Sequence, residues 1–218
     1  MMVAGLLIGC GESALEGPER SRFEGVDEVT LGVDRGDVTI FAQAQEEGAT
    51  VDRWHSGEGQ FEQWELRQVG RELYAQAQCL GGVRCRSRFE MQVGSQSAID
   101  VASYRGDVRV YRGEGPLRLR VEEGDVEVGG RSHSRVDLEL GRGHGELRFE
   151  EAPNHLRLVL GVAASARVEL PKQRYRCEFD ESAAEFEGLD ELRCHGHVHQ
   201  GLEIVPQDAE VELVFGDD

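Results

Sequence analysis

The sequence predicts an all-β fold, a single-domain β-solenoid of stacked short-strand coils with no substantial helix. Three observations predict it. Apolar and polar residues alternate over short runs bounded by Gly, Asp, Asn or Pro. No comparable stretch carries apolar residues at the i, i+3, i+4, i+7 spacing of an amphipathic helix. A Gly-acid-apolar step recurs at a spacing near 20 residues, the mark of units that cannot bury their apolar faces alone and stack to do so. A chain of 218 residues is of a length that all-β folds commonly use for one unit.

The first element is "MMVAGLLIGCGE", a short apolar run leading to Cys10 that is too short to span a bilayer. Leu7-Ile8-Gly9-Cys10 resembles the lipobox of bacterial lipoproteins, although no Lys or Arg precedes the run. The resemblance implies cleavage before Cys10 and acylation of its amine and thiol. It also implies an exported protein held in the outer membrane, because Gly11 rather than an acid follows the cysteine. Residues 1–9 are then a signal peptide. The polar stretch that follows, "GESALEGPERSRFEG", is too weakly apolar to build a core and predicts a flexible tether over 10–24. The folded domain is expected over 25–216.

Within it, "DRGDVTIF" at 34–41 carries the first Gly-acid-apolar step. The stretch "EGQFEQWELRQVGRELYAQA" is broken by Gly70 and alternates in its second half, which predicts two strands joined at "VGRE". Next comes "CLGGVRC". With Cys10 set aside, Cys79, Cys85, Cys177 and Cys194 form an even set, which in an exported chain reads as two disulfides. Four cysteines permit three connectivities; the expected one is Cys79–Cys85 with Cys177–Cys194. Neither spacing fits the Cys-x₂₋₄-Cys of zinc sites.

From residue 97 the runs "DVRVY", "LRLRV", "DVEV", "RVDLEL", "ELRF", "LRLVL", "RVEL", "YRCEF", "LEI" and "VELVF" follow one another. Val108, Val110, Leu117, Leu119, Val121, Val126, Val128, Val136, Leu138 and Leu140 share an inward parity, with Arg109, Arg118, Arg120, Glu127, Asp137 and Glu139 pointing outward. The corner step appears as "RGDV" at 35 and 105, "EGDV" at 123 and "HGEL" at 144. It assigns Gly36, Gly106, Gly124 and Gly145 to turns. Glycine supplies the tight turn, the acid bonds its amides, and the apolar residue opens the next inward run. The two Arg-Gly-Asp tripeptides are therefore corners rather than receptor ligands, since Val38 and Val108 begin core-facing strands at once.

The spaced Gly-Asp-Val corners, the strand "ELYAQAQC" entering the Cys-bearing turn, the extended run from Cys85 to Val93 and the later "ARVELPKQRYRCEF" together resemble the bacterial putative-adhesin domain of unknown function. The likeness covers roughly 25–215. Arg, Glu or His stands where that family has a corner Ser, and the Pro that usually follows the extended strand is missing from "QVGSQS". The resemblance implies the β-solenoid fold and an adhesin-like role, without a ligand.

The 42 acidic against 24 basic residues leave a formal charge of −18, which repels nucleic acid phosphates. The sharpest chemical candidate is "CHGHVHQ", where His195, His197 and His199 would share one face of a strand and could bind Zn²⁺, Cu²⁺ or Ni²⁺. His55, His133, His144 and His155 read as surface polar residues without partners. No Gly-x-Ser-x-Gly elbow, phosphate loop or calcium nonapeptide occurs. A glycosidase would need two carboxylates across a groove, which a single sequence does not display. The expectation is a non-enzymatic, lipid-anchored envelope protein, needing no cofactor, that presents a structural or binding surface to another envelope protein or a polymer. The alternatives are a periplasmic metal-binding or sensing protein and a carboxylate enzyme acting on a polysaccharide.

Overall fold

The alternating runs form strands, and most of the strands align in parallel register instead of folding back as hairpins. The computed structural model describes residues 15–44, 47–56, 62–80, 85–131, 133–171, 174–179, 185–187, 193–194, 201–206 and 210–216; beyond 171 the description is of backbone, Arg176 excepted. These residues hold seventeen strands and no helix. In chain order the first nine are β1 (Glu16–Glu24), β2 (Glu28–Gln43), β3 (Gly48–Ser56), β4 (Glu62–Val69), β5 (Glu72–Cys79), β6 (Arg86–Gly94), β7 (Ala98–Arg105), β8 (Val108–Tyr111) and β9 (Leu117–Glu123). The others are β10 (Val126–Gly130), β11 (Val136–Phe149), β12 (His155–Pro171), β13 (Arg174–Phe179), β14 (Glu185–Glu187), β15 (Arg193–Cys194), β16 (Gly201–Pro206) and β17 (Glu210–Gly216). The expected all-β class stands.

Two ladders organise them. In the first, β5, the front half of β2, β7, β9, and the front halves of β11 and β12 lie side by side in parallel, followed by β16 and β13. In the second, β6, the rear half of β2, β8, β10, and the rear halves of β11 and β12 do the same, followed by β17 and β14. Antiparallel strands finish one end: β4 lies against β5, and β3 against β6 with β1 outside it. The sheet is therefore mixed. The order along the ladders is not the order along the chain, because β2 sits between β5–β6 and the later β7–β8.

Register turns the alternation into columns. Leu73, Val29, Ile99, Leu117, Val136 and Leu156 face one another strand by strand, as do Phe89, Val38, Val108 and Val126 on the second ladder. All of them are buried and belong to one continuous apolar cluster. The ten residues assigned an inward parity are all buried, as expected. Parallel sheets are ordinarily covered on both faces; here the inner faces of both ladders join that one cluster while the outer faces keep their charges. The two strands expected around "VGRE" are β4 and β5, turning at Gly70 with φ +63°.

Two boundaries differ from expectation. Residues 16–24, assigned to the tether, form β1, which pairs with β3 through tertiary contacts that its charged composition does not announce. The fourth corner falls at Gly143, not Gly145. Gly145 lies opposite Val126, at an inward position, and Gly143 has the corner conformation at φ +127°. Cys10 and the predicted signal peptide lie outside the described residues.

Candidate functional site

At the corners, backbones approach one another more closely than any side chain permits. Gly36, Gly106, Gly124 and Gly143 all have φ between +127° and +151°. A Cβ on Gly106 would stand 1.9 Å from the Gly36 carbonyl oxygen, and one on Gly124 would stand 2.2 Å from that of Gly106. The residue after each glycine links one corner to the next. Asp37 Oδ1 accepts the Asp107 amide at 3.2 Å, Asp107 Oδ1 the Asp125 amide at 3.1 Å, and Asp125 Oδ1 the His144 amide at 2.9 Å. The corner acids thus bond amides of the neighbouring corner rather than their own turn.

Along the outer face of the first ladder runs a groove of about 490 Å³. It is lined by residues of six successive strands: Gln76 of β5, Gly32 and Asp34 of β2, Ala102 and Tyr104 of β7, Arg120 and Glu122 of β9, Glu139 and Gly141 of β11, and Val159 and Gly161 of β12. The floor is low because Gly32, Ala102, Gly141 and Gly161 project little or nothing. Tyr104 is 61% exposed, a large ring left uncovered at the groove's edge. Arg120 bonds Asp100 Oδ1 at 2.8 Å, and its buried Nε has no acceptor among the described residues. Asp34 Oδ2 accepts the Cys79 amide at 3.0 Å, tying the groove's edge to the Cys79–Cys85 disulfide, whose Cα atoms are 5.8 Å apart. Just beyond Tyr104, the Arg105 guanidinium is raised in pKa by its bond and charge interaction with Glu123.

A second cleft, of about 570 Å³, opens where the second ladder's strands end, and Arg112, Glu114, Arg131 and Glu150 line it. It is built from the ends of β2 and β10 and from the turns that follow β6, β8, β10 and β11. Beneath one of those turns lies His133, only 1% exposed. Its Nδ1 bonds the Gly115 carbonyl at 3.0 Å, and burial lowers its pKa against the opposing pull of that bond and of Glu114. The expectation of a surface residue without a partner fails for His133, because the bare Gly113 leaves room for its ring.

Other lone histidines also find neighbours. His144 Nδ1 and Ser165 Oγ are 2.9 Å apart, His155 lies 3.8 Å from Asp137, and His55 lies 3.9 Å from Glu19. Among the described residues no carboxylate is bonded to the His144 ring to orient it as in a hydrolytic triad; the nearby Asp125 bonds the His144 amide instead. No group of three metal-ligating side chains occurs among the described residues. His195, His197 and His199 lie outside them, as do the side chains of Cys177 and Cys194. Sequence reasoning did not find the groove, because it depends on which residues of separate coils share a column. The traceable signal is small residues, Gly32 and Ala102, at outward strand positions.

Neither a family profile nor a curated protein matches the sequence. Among solved structures, the chain is similar to a putative cell adhesion protein from Clostridium sporogenes, with 11% identity, a TM-score of 0.47, and coverage of 93% of this chain and 100% of that one. It is similar also to a putative adhesin from Bacteroides fragilis, with 7% identity, a TM-score of 0.46, and coverage of 93% and 98%. A putative adhesin from Parabacteroides distasonis shares 10% identity at a TM-score of 0.33, with coverage of 93% and 98%.

Proposed function

We propose that the protein is an exported, lipid-anchored envelope protein whose coils form a β-solenoid serving as a non-catalytic, adhesin-like binding surface. The observation that carries the binding reading is the groove, which is lined by residues of six neighbouring strands and suits an extended partner better than a compact one. The solenoid reading is supported by the paired parallel ladders and the glycine column, which repeat coil after coil. The anchor is supported by Leu7-Ile8-Gly9-Cys10 ahead of the domain. In that arrangement acylated Cys10 holds the chain to the outer membrane, the disulfide persists because the compartment is oxidising, and no cofactor takes part.

The anchor is tested by expressing the full chain in a Gram-negative bacterium and determining the mass of the mature N-terminus. A diacylated or triacylated Cys10, with the protein in the membrane fraction, is the expected result. An intact, unmodified Met1 would overturn it.

A further inference from the structure

We infer that the groove across β5, β2, β7, β9, β11 and β12 binds a neutral, linear polysaccharide lying across the strands. The inference rests on the binding-surface reading and adds the ligand's chemistry. Six strands at the ~4.8 Å spacing of a sheet give a track roughly 24 Å long. A chain of equatorially linked pyranose rings advances per ring by a length close to that strand spacing, with alternate rings turned over, so the chain can follow the track strand by strand.

The lining matches sugar surfaces. Tyr104, 61% exposed, offers an aromatic face to the apolar C–H side of a ring. Gly32, Ala102, Gly141 and Gly161 keep the floor low enough for a ring to approach the backbone. Glu122, the second oxygen of Asp34 beside its bond to the Cys79 amide, and the second oxygen of Glu139 beside its Arg157 pair are acceptors for neighbouring hydroxyls, and Arg120 brings a donor fork. A hydroxyl that drew Arg120 toward the ligand would also give its buried Nε–H the acceptor it lacks.

Charge decides the class of polymer. Three carboxylates line the groove against one guanidinium; Arg120 is paired with Asp100 and Glu139 with Arg157, which leaves Asp34 and Glu122 as its unbalanced charges, and the whole chain carries −18. Uronate-bearing, phosphorylated or sulfated chains would be repelled at short range. An uncharged glycan gains the hydrogen bonds without that penalty.

The experiment is calorimetric titration of the disulfide-intact protein with neutral hexaoses of β-1,4-linked glucose, xylose and N-acetylglucosamine. The matching trioses, an oligogalacturonate and a lysine-rich peptide serve as comparisons, and reducing ends are assayed in parallel. At least one neutral hexaose should bind, with the triose weaker, the oligogalacturonate silent, and Tyr104→Ala weakening the hexaose about tenfold. Because Tyr104 is exposed, that variant should retain the wild-type circular dichroism spectrum. The inference is overturned if no neutral hexaose binds, if Tyr104→Ala binds as tightly as the wild type, or if only the lysine-rich peptide binds. Binding accompanied by new reducing ends would support the ligand and overturn the non-catalytic reading instead.

Discussion

A Cβ on Gly106 would meet the Gly36 carbonyl oxygen at 1.9 Å, and φ there is +138°, so two independent penalties bar any other residue. Gly70 has a positive φ of +63° too, but open space around it. Gly106→Ala should therefore cost about 3 kcal/mol or more, combining backbone strain with forced separation of two coils. Gly70→Ala should cost only about 1–2 kcal/mol, the left-handed penalty alone. Urea unfolding of the two variants checks the ratio; equal losses would mean that the column is not closely stacked. The aspartates beside these glycines accept the neighbouring amide through Oδ1, while Oδ2 of Asp37 and of Asp107 takes Arg86 and Arg109. Asp107→Ala removes the acceptor for the Asp125 amide, which should cost about 1 kcal/mol, together with an exposed Arg109 pair worth little. Asp107→Asn keeps a carbonyl there and should lose less than half as much, read from the same urea midpoints.

Between β8 and β9 the turn Arg112-Gly113-Glu114-Gly115 lies over the His133 ring, and Phe149 meets that ring edge-on at a centroid distance of 6.4 Å. Burial lowers the imidazole pKa, so the folded chain resists a proton that the unfolded chain accepts near pH 6.5. More protons are bound when unfolded, and stability rises with pH through this window. The contribution is complete above about pH 6.5 and is lost as pH falls below it, at no more than about 1.4 kcal/mol per pH unit. His133→Gln should flatten the wild-type dependence of thermal midpoint between about pH 7 and 5; an unchanged slope would place the sensitivity elsewhere. At this scale the limits of sequence are physical. Alternation made β7 to β12 legible because parity is a local property, and Gly70 marked the β4–β5 turn for the same reason. Gly145 was assigned to a corner because "HGEL" copies the local step, yet register with Val126 turns it inward. Register between strands, which also puts Gly32, Ala102, Tyr104 and Arg120 into one groove, is a long-range property that alternation within a single run does not encode, and so is the burial of His133.

Across the whole molecule, the placement of β2 decides cooperativity. The pair β5 and β6, together with β1, β3 and β4, is joined in the ladders to β7 and β8 through β2, which pairs with all four of its neighbours. The end assembly and the rest of the sheet therefore share one strand, with Leu31, Val38 and Ile40 fully or almost fully buried in it. The chain's two tryptophans, Trp54 in β3 and Trp64 in β4, both lie in the end assembly. Their environment includes Arg88 over Trp54 at 5.2 Å, and Arg53 over Trp64 at 4.5 Å with Phe89 beside it. Tryptophan fluorescence consequently reports that end alone, whereas far-ultraviolet circular dichroism reports every coil. Because β2 belongs to both, the two signals should give one coincident transition in urea. Ile40→Ala, which empties space in the rear half of the shared strand between Met91 and Val110, should lower the stability read by both signals alike by about 2–5 kcal/mol. A tryptophan transition that precedes the dichroism transition, or an Ile40→Ala effect confined to one signal, would mean that the end assembly unfolds by itself and that β2 does not couple it to the coils beyond.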